Sequence, residues 1–290
     1  MSAINNRYEF VMLFDVQNGN PNGDPDAGNA PRIDAETGLG IVTDVCLKRK
    51  VREYVSLVKD GEEGYDILIK TDRALNDKFA EAHAAVGGGK SSKGSKEIEN
   101  ARNYICEHYF DVRTFGAVMS TGNNPCGIVR GPVQINFARS LDPILAQELT
   151  ITRQAITDEK KFKESVDKNG IMTEMGKKNI VPYGLYRAEG YISAMLAQKT
   201  GFSDDDLELL WEAVINMFEH DHSAARGKMC MRSLYVFRHD SALGNAPSSV
   251  LFDKIGIKKK EGVEYPRSFS DYCVTVDAEM PAGVQLEKKL

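Results

Sequence analysis

The chain has 290 residues, 42% apolar and 27% charged, a globular balance with room for one large domain or two ordinary ones. No run approaches the ~20 apolar residues of a membrane helix. Met1–Arg7 is polar, so no signal peptide is expected and the sequence predicts a cytoplasmic protein. The net charge of −5 excludes a chain that is basic throughout, but a phosphate-binding surface needs only local cations, which acidic helices elsewhere can mask.

Arg7–Gln17 reads as a strand with Tyr8, Phe10, Met12, Phe14 and Val16 on one face and Val11 and Leu13 on the other. Apolar residues on both faces predict a central strand. A long loop follows, Asn18–Gly40, rich in Asn, Gly, Pro and Asp. Loops of that length inside a domain are functional or disordered. Thr43 is a good N-cap, with Asp44 in the first turn. Leu47, Val51, Tyr54, Val55 and Val58 then recur at helical spacing. Lys48, Arg49 and Arg52 fall off that stripe, and Lys50 flanks its other edge.

Tyr65–Thr71 is a short strand candidate, and 72–112 reads as helical, broken by a flexible GGGKSSKGSK stretch. Ile128–Ala138 alternates: Val129, Val133, Ile135 and Phe137 form an apolar face, opposite Arg130, Gln134 and Asn136. Residues 142–182 are polar, with a DKNG reversal at Asp167–Gly170. Tyr183–Met195 is another strand, Asp204–His220 an amphipathic helix carrying Leu207, Leu210, Trp211, Val214, Met217 and Phe218, and Ser233–His239 and Tyr272–Val276 are strands. Without the inserts near 72–112 and 140–182, the order is strand, helix, strand, strand, helix, strand. That is the α+β, ferredoxin-like or RRM-like split βαβ pattern, in one domain spanning 1–290.

The motifs for chemistry are incomplete. Gly87–Ser91 lacks the first glycine of a phosphate loop, because Ala84 occupies it. Asn18–Asp26 resembles a calcium loop, but Asn18 and Asn29 stand where Asp and Glu belong. Asp24, Asp26 and Asp34 could hold a metal for phosphodiester cleavage, although acidic residues in turns usually serve the turn. His220-Asp221-His222 sits at a helix end, where the dipole favours histidine. Five scattered cysteines without a CxxC pair predict buried free thiols rather than a zinc or redox site. No catalytic residue, metal or cofactor is expected.

The cations are more informative as a set. Leu47–Arg52 carries three on the exposed part of its helix, Ala224–Arg232 places Arg226, Lys228 and Arg232 just before a strand, and Arg130 and Gln134 share a sheet face. Lysine and arginine bind phosphate as point charge and fork respectively, and phosphate contacts dominate nucleic-acid affinity. The aromatic RNP1 signature of ordinary RRM proteins is absent.

Phe14–Gly28, Thr43–Arg52, Tyr109–Ser120, Val129–Ile144 and Pro182–Ser193 closely resemble the backbone subunit of the type I-C CRISPR Cascade complex, in the RAMP superfamily. The resemblance implies a hand: a modified RRM palm, a helical finger insertion at 72–112 and a thumb-like hairpin insertion at 140–182. It implies a non-catalytic, antiviral ribonucleoprotein subunit that coats the guide RNA (crRNA). Copies stack head to tail as a helical filament, contact other Cascade subunits, and help hold the target DNA strand while base pairing supplies specificity. It also matches Thr43, Lys48, Arg49 and Arg52 to the helix that contacts the guide backbone. With the other cations, the candidate RNA contacts are Thr43, Lys48, Arg49, Lys50, Arg52, Arg130, Gln134, Arg226, Lys228 and Arg232. Met172 and Met175, flexible and polarisable, are candidates for a thumb wedge against a base. The alternative is a metal-dependent RAMP-type ribonuclease using the acidic loop after the first strand.

Overall fold

In the computed structural model, which describes residues 2–88, 94–153, 155–160, 162–163 and 174–290, β1 (Tyr8–Gly19) lies inside the main sheet. The alternation of β1 places Tyr8, Phe10, Met12, Phe14 and Val16 in one core and Val11 and Leu13 in another. The short pair β2 (Gly23–Asp24) and β3 (Ala30–Pro31) folds up the loop that follows, and β4 (Leu39–Val42) leads into α1 (Asp44–Val58). Then come α2 (Leu75–Ala85), α3 (Ser95–His108), α4 (Phe110–Phe115), and the ribbon β5 (Gly116–Met119) with β6 (Gly127–Arg130). These pack around a small core of their own that includes Phe79, Ile105, Met119 and Val129.

The chain returns to the main sheet through β7 (Val133–Ile135) and β8 (Ala138–Pro143), leaves it in β9 (Gln147–Arg153), and comes back along β10 (Glu174–Ile192). The 19 residues of β10 serve two purposes. Its first part pairs only with β9, from Glu174 opposite Arg153 to Ile180 opposite Gln147. Its second part lies antiparallel to β1, from Val181 opposite Gly19 to Ile192 opposite Tyr8. After α5 (Ala194–Thr200) and α6 (Asp204–Asn216), β11 (Lys228–His239) takes the other side of β1. The chain closes with α7 (Ser248–Phe252), the ribbon β12 (Ile255–Lys259) with β13 (Tyr272–Val276), and β14 (Val284–Lys288) beside β11.

The sheet order is β14-β11-β1-β10-β8-β4. The inner four strands have the split βαβ order, with β7–β8 as its second strand, and β7 lies beside β10 as expected of Ile128–Ala138 and Tyr183–Met195. The further short strand expected at Tyr65–Thr71 does not form. Asp66 makes one parallel bridge to Tyr109, and the amides of Leu68 and Ile69 donate to the Asp111 carboxylate instead of a ladder.

Ile128–Ala138 is not one strand either. Gly131-Pro132 divides it: a Cβ on Gly131 would collide with the Phe115–Gly116 backbone, and Pro132 has no N–H for a ladder. β6 therefore joins β5 while β7 joins β10, so Arg130 and Gln134 do not share a sheet face, and Phe137 is exposed rather than apolar core. Lys228 and Arg232 lie within β11, not before it. The Asp167–Gly170 reversal, Met172 and the Gly89–Lys93 part of the glycine-rich stretch lie outside the described residues.

Both faces of the sheet are covered. α1 and α6 pack on one, where Trp211 meets Phe10 edge-on with ring centroids 5.3 Å apart. α7, β12 and β13 cover the other through Leu251, Phe252, Ile255 and Tyr272. The face on which ordinary RRM proteins stack bases is thus occupied by the chain's own C-terminal segment, which accounts physically for the missing RNP1 aromatics.

Two of the five free thiols are buried, two are half-buried and one is exposed. Burial pushes the Cys106 and Cys126 thiols up to about 11. Because the thiolate is the reactive species, iodoacetamide at neutral pH should modify Cys273 and spare Cys106 and Cys126 until denaturant is added. Peptide mass spectrometry reads this directly, and prompt native labelling of Cys106 would contradict the packing of the small core.

Candidate nucleic-acid interface

The sequence positions α1 at its first turn. Thr43 Oγ1 accepts from the Cys46 amide at 3.3 Å, while the Thr43 amide and hydroxyl both donate to Asn22 Oδ1 at 3.0 Å. The Asn-rich loop is thereby tied to the start of the helix. Its other end is tied to the segment before β11, where the Asn20 amide donates to the Ala225 carbonyl at 2.8 Å. Gly19 and Gly227 permit this approach, since a Cβ on either would lie inside the backbone of the other loop.

The cations of α1 have different surroundings. Arg49 is exposed and pairs with Glu53 at 3.0 Å. Lys48 pairs with Asp44 at 2.8 Å and reaches Gln134 Oε1 at 3.4 Å, which brings together two candidates from distant parts of the sequence. Arg52 is mostly buried: its Nε contacts the fully buried Asp111 carboxylate at 2.7 Å, and its guanidinium lies 5.3 Å from the centroid of the Phe115 ring. It is therefore a structural residue, not one of three exposed cations. Lys50 is 1% exposed and its ammonium pairs with Asp221. Spacing could have revealed this, because position 50 lies three residues after Leu47 and four before Tyr54, within the stripe. Val58, placed on the stripe, is exposed instead.

Arg226 also pairs with Asp221, at 2.5 Å. Burial first, and the neighbouring Arg49 charge second, pull the Arg226 guanidinium below the ordinary arginine range. Arg49, Lys50 and Arg226 line a cleft of about 240 Å³ whose other wall is the loop at Asn20, Asn22 and Asn29. With Asp221 and Glu53 as the paired carboxylates, this cluster has one positive charge more than it neutralises. Lys228 is exposed at the start of β11. Arg232 belongs elsewhere: it pairs with buried Asp15 at 2.9 Å and lies 5.8 Å from the Phe269 ring centroid, against the C-terminal cover. Arg130 is exposed on the separate β5–β6 ribbon.

A groove of about 930 Å³ runs along the outer side of α1 and shares Arg49 with the cleft. Val45, Leu57 and Ile69 give it exposed apolar walls, and its charged lining is mixed, with Arg49, Arg52 and Lys70 beside Glu53 and Asp60. Exposed apolar walls suit flat rings, and the cations of the neighbouring cleft, reached through Arg49, suit the charge of a polyanion that carries them. This groove is not among the features expected from the sequence. Its signal was Val45 and Leu57, two apolar residues off the buried stripe of an amphipathic helix.

Two carboxylates of the acidic loop are paired, one within the loop and one with β8. Asp24 faces Arg32 at 3.5 Å, and Asp34 contacts Arg139 at 2.7 Å. Arg139 and the amides of Glu36 and Thr37 hold the Asp34 carboxyl below its usual range. Asp26 is exposed, with its amide on the Asp24 carboxylate. Among the described residues, no three His, Cys, Asp or Glu side chains gather as a metal-binding group, and no helix is long and apolar enough to cross a membrane. Met175 is 77% exposed on the projecting part of β10.

This architecture defines an α+β protein on a central antiparallel sheet, with a helical insert, a projecting ribbon and a cationic helix edge. Residues 6–277 match the family described as CRISPR-associated protein Cas7, and the chain belongs to that family. Its relative from Haloferax volcanii, described as CRISPR-associated protein Cas7, is 27% identical over 231 residues, which cover 73% of this chain and 65% of the relative, just under two thirds of its length. A solved chain titled "CRISPR RNA-guided surveillance complex, pre-nicking" shares the fold with a TM-score of 0.50 and 13% identity, over 80% of this chain and 78% of that one. A chain titled "CRISPR RNA-guided surveillance complex" has a TM-score of 0.45 and 15% identity, over 79% and 68%.

Proposed function

We propose that this Cas7-family chain is the backbone subunit of a type I-C Cascade complex: it binds crRNA without catalysis, stacks head to tail along it, and supports pairing with the target DNA strand. The observation that carries the reading is the continuous surface formed by the groove on α1 and the cationic cleft, with Arg49 in both. Phosphates are held by Arg49, Arg226 and Lys228, and sequence specificity is left to base pairing. In this reading α2–α4 are the fingers and the β9–β10 ribbon is the thumb. Met175 on that ribbon is an exposed apolar side chain suited to wedging against a base or a neighbouring copy.

The test uses the variant Arg49→Ala with Lys228→Ala, which removes two exposed cations and should leave folding intact. Affinity for single-stranded RNA is measured against salt concentration. The slope should become shallower by about 0.7 for each phosphate that the variant no longer neutralises. An unchanged slope in a folded variant would remove these residues from the interface. Incubation of the wild type with RNA and manganese covers the catalytic alternative: cleavage abolished by Asp24→Asn or Asp34→Asn would replace the structural reading with a nuclease.

A further inference from the structure

The asparagines of the loop between β1 and β2 differ in one respect. The side-chain oxygen of Asn22 is occupied by the amide and hydroxyl of Thr43. Asn20 is 93% buried in the wall of the cationic cleft, with 7% of its surface exposed, and its Nδ2 donates to the Asn29 carbonyl at 2.7 Å. That bond sets the orientation of the amide, so the group left over is the oxygen. Asn20 Oδ1 is buried and has no hydrogen-bond partner. A buried acceptor without a donor is destabilising, and such atoms in native proteins call for an explanation.

The surroundings specify what would complete it. The same cleft has the surplus cation described above, from Arg49, Lys50 and Arg226 around Asp221. A ligand that satisfies the whole cleft therefore combines one negative charge with one neutral donor close to it. An RNA backbone unit has both, a phosphodiester and a ribose 2′-hydroxyl, whereas a DNA unit has only the first. The 2′-hydroxyl is the group by which a protein separates RNA from DNA at a given site.

We infer that this cleft is a ribose–phosphate subsite, in which Asn20 Oδ1 accepts the 2′-hydroxyl and the cations hold the adjoining phosphate, so that Asn20 makes the surface selective for RNA. The inference rests on the RNA-binding reading and adds a selectivity that phosphate contacts alone do not supply. It also gives the Asn-Gly-Asn-Pro-Asn run a role: Asn22 and the Asn20–Asn29 bond set the shape of the wall, and the remaining oxygen reads the sugar.

The experiment compares full-length protein binding to a short single-stranded RNA and to the same oligonucleotide with 2′-fluoro substitution throughout. Fluorine keeps the sugar pucker of RNA but cannot donate. The wild type should bind RNA about tenfold more tightly per bound subunit, the worth of one hydrogen bond. Asn20→Leu, of similar size, should bind both oligonucleotides equally, at the weaker level. Equal binding of RNA and 2′-fluoro RNA by the wild type overturns the inference without any variant and leaves the RNA-binding reading intact. Discrimination that survives in folded Asn20→Leu overturns the assignment to Asn20. Absence of binding to either oligonucleotide overturns the inference together with the reading on which it rests.

Discussion

Arg52→Ala should destabilise the protein by about 3 kcal/mol, although the residue lies on the polar side of an amphipathic helix. Its partner Asp111 is fully buried and accepts from the Leu68 and Ile69 amides as well as from Arg52. Removing the guanidinium leaves a buried carboxylate without its counter-ion, and truncating one member of such a pair costs about 3–5 kcal/mol. The two backbone amides remain in place, which puts the expected loss at the lower end. Urea unfolding of Arg52→Ala beside Arg49→Ala is the measurement, with Arg49→Ala expected within about 0.5 kcal/mol of wild type. Equal stabilities for the two variants would mean that Asp111 does not depend on Arg52. The pair also means that a combined Lys48, Arg49 and Arg52 alanine variant would mix loss of binding with loss of fold.

Gly19→Ala is expected to be comparably severe for a different reason. A Cβ there would occupy the space of the Arg226 carbonyl and the Gly227 amide, and neither is the end of a flexible side chain. Overpacking against backbone costs about 1–3 kcal/mol, and here it would also push apart the two loops that enclose the cationic cleft. RNA affinity should therefore fall along with stability. Gly28→Ala provides the contrast. Gly28 has a φ of 60° with nothing within 4 Å of an added Cβ, so only the left-handed backbone is penalised, by about 1 kcal/mol, and the cleft keeps its shape. Thermal unfolding and RNA titration of both variants separate the effects. A Gly19→Ala protein that binds and melts like wild type would show that the two loops need not touch.

Much of this fold was legible where local pattern and tertiary contact agree. The two-faced apolar pattern of β1 did correspond to a strand covered on both sides, and the six apolar positions assigned to α6 and the turn after it are all buried. Legibility failed where a side chain replaced a backbone partner. Tyr65–Thr71 has a strand-like composition, but nothing in its own sequence announces that Asp111, more than forty residues later, takes its amides. The division of Ile128–Ala138 was marked by Gly131-Pro132, a turn signal that the alternation around it outweighed. At the site, the position of the cations could be read but not their partners. Lys50 and Arg226 meet on Asp221, and Arg232 pairs across the sheet with Asp15, contacts set only by the folded topology.

The double use of β10 has a mechanical consequence. At about 3.3 Å per residue, a 19-residue strand is roughly 60 Å long, and the seven residues that pair only with β9 extend roughly 23 Å beyond the main sheet. No loop separates this lever from its anchor. A pull on the ribbon along its length loads the bonds between β10 and β1 in shear, so that the ladder from Gly19 to Tyr8 shares the force. The β9 side, held over a shorter span, peels sooner. Tension applied to the ribbon should therefore strip β9 while the central strands hold.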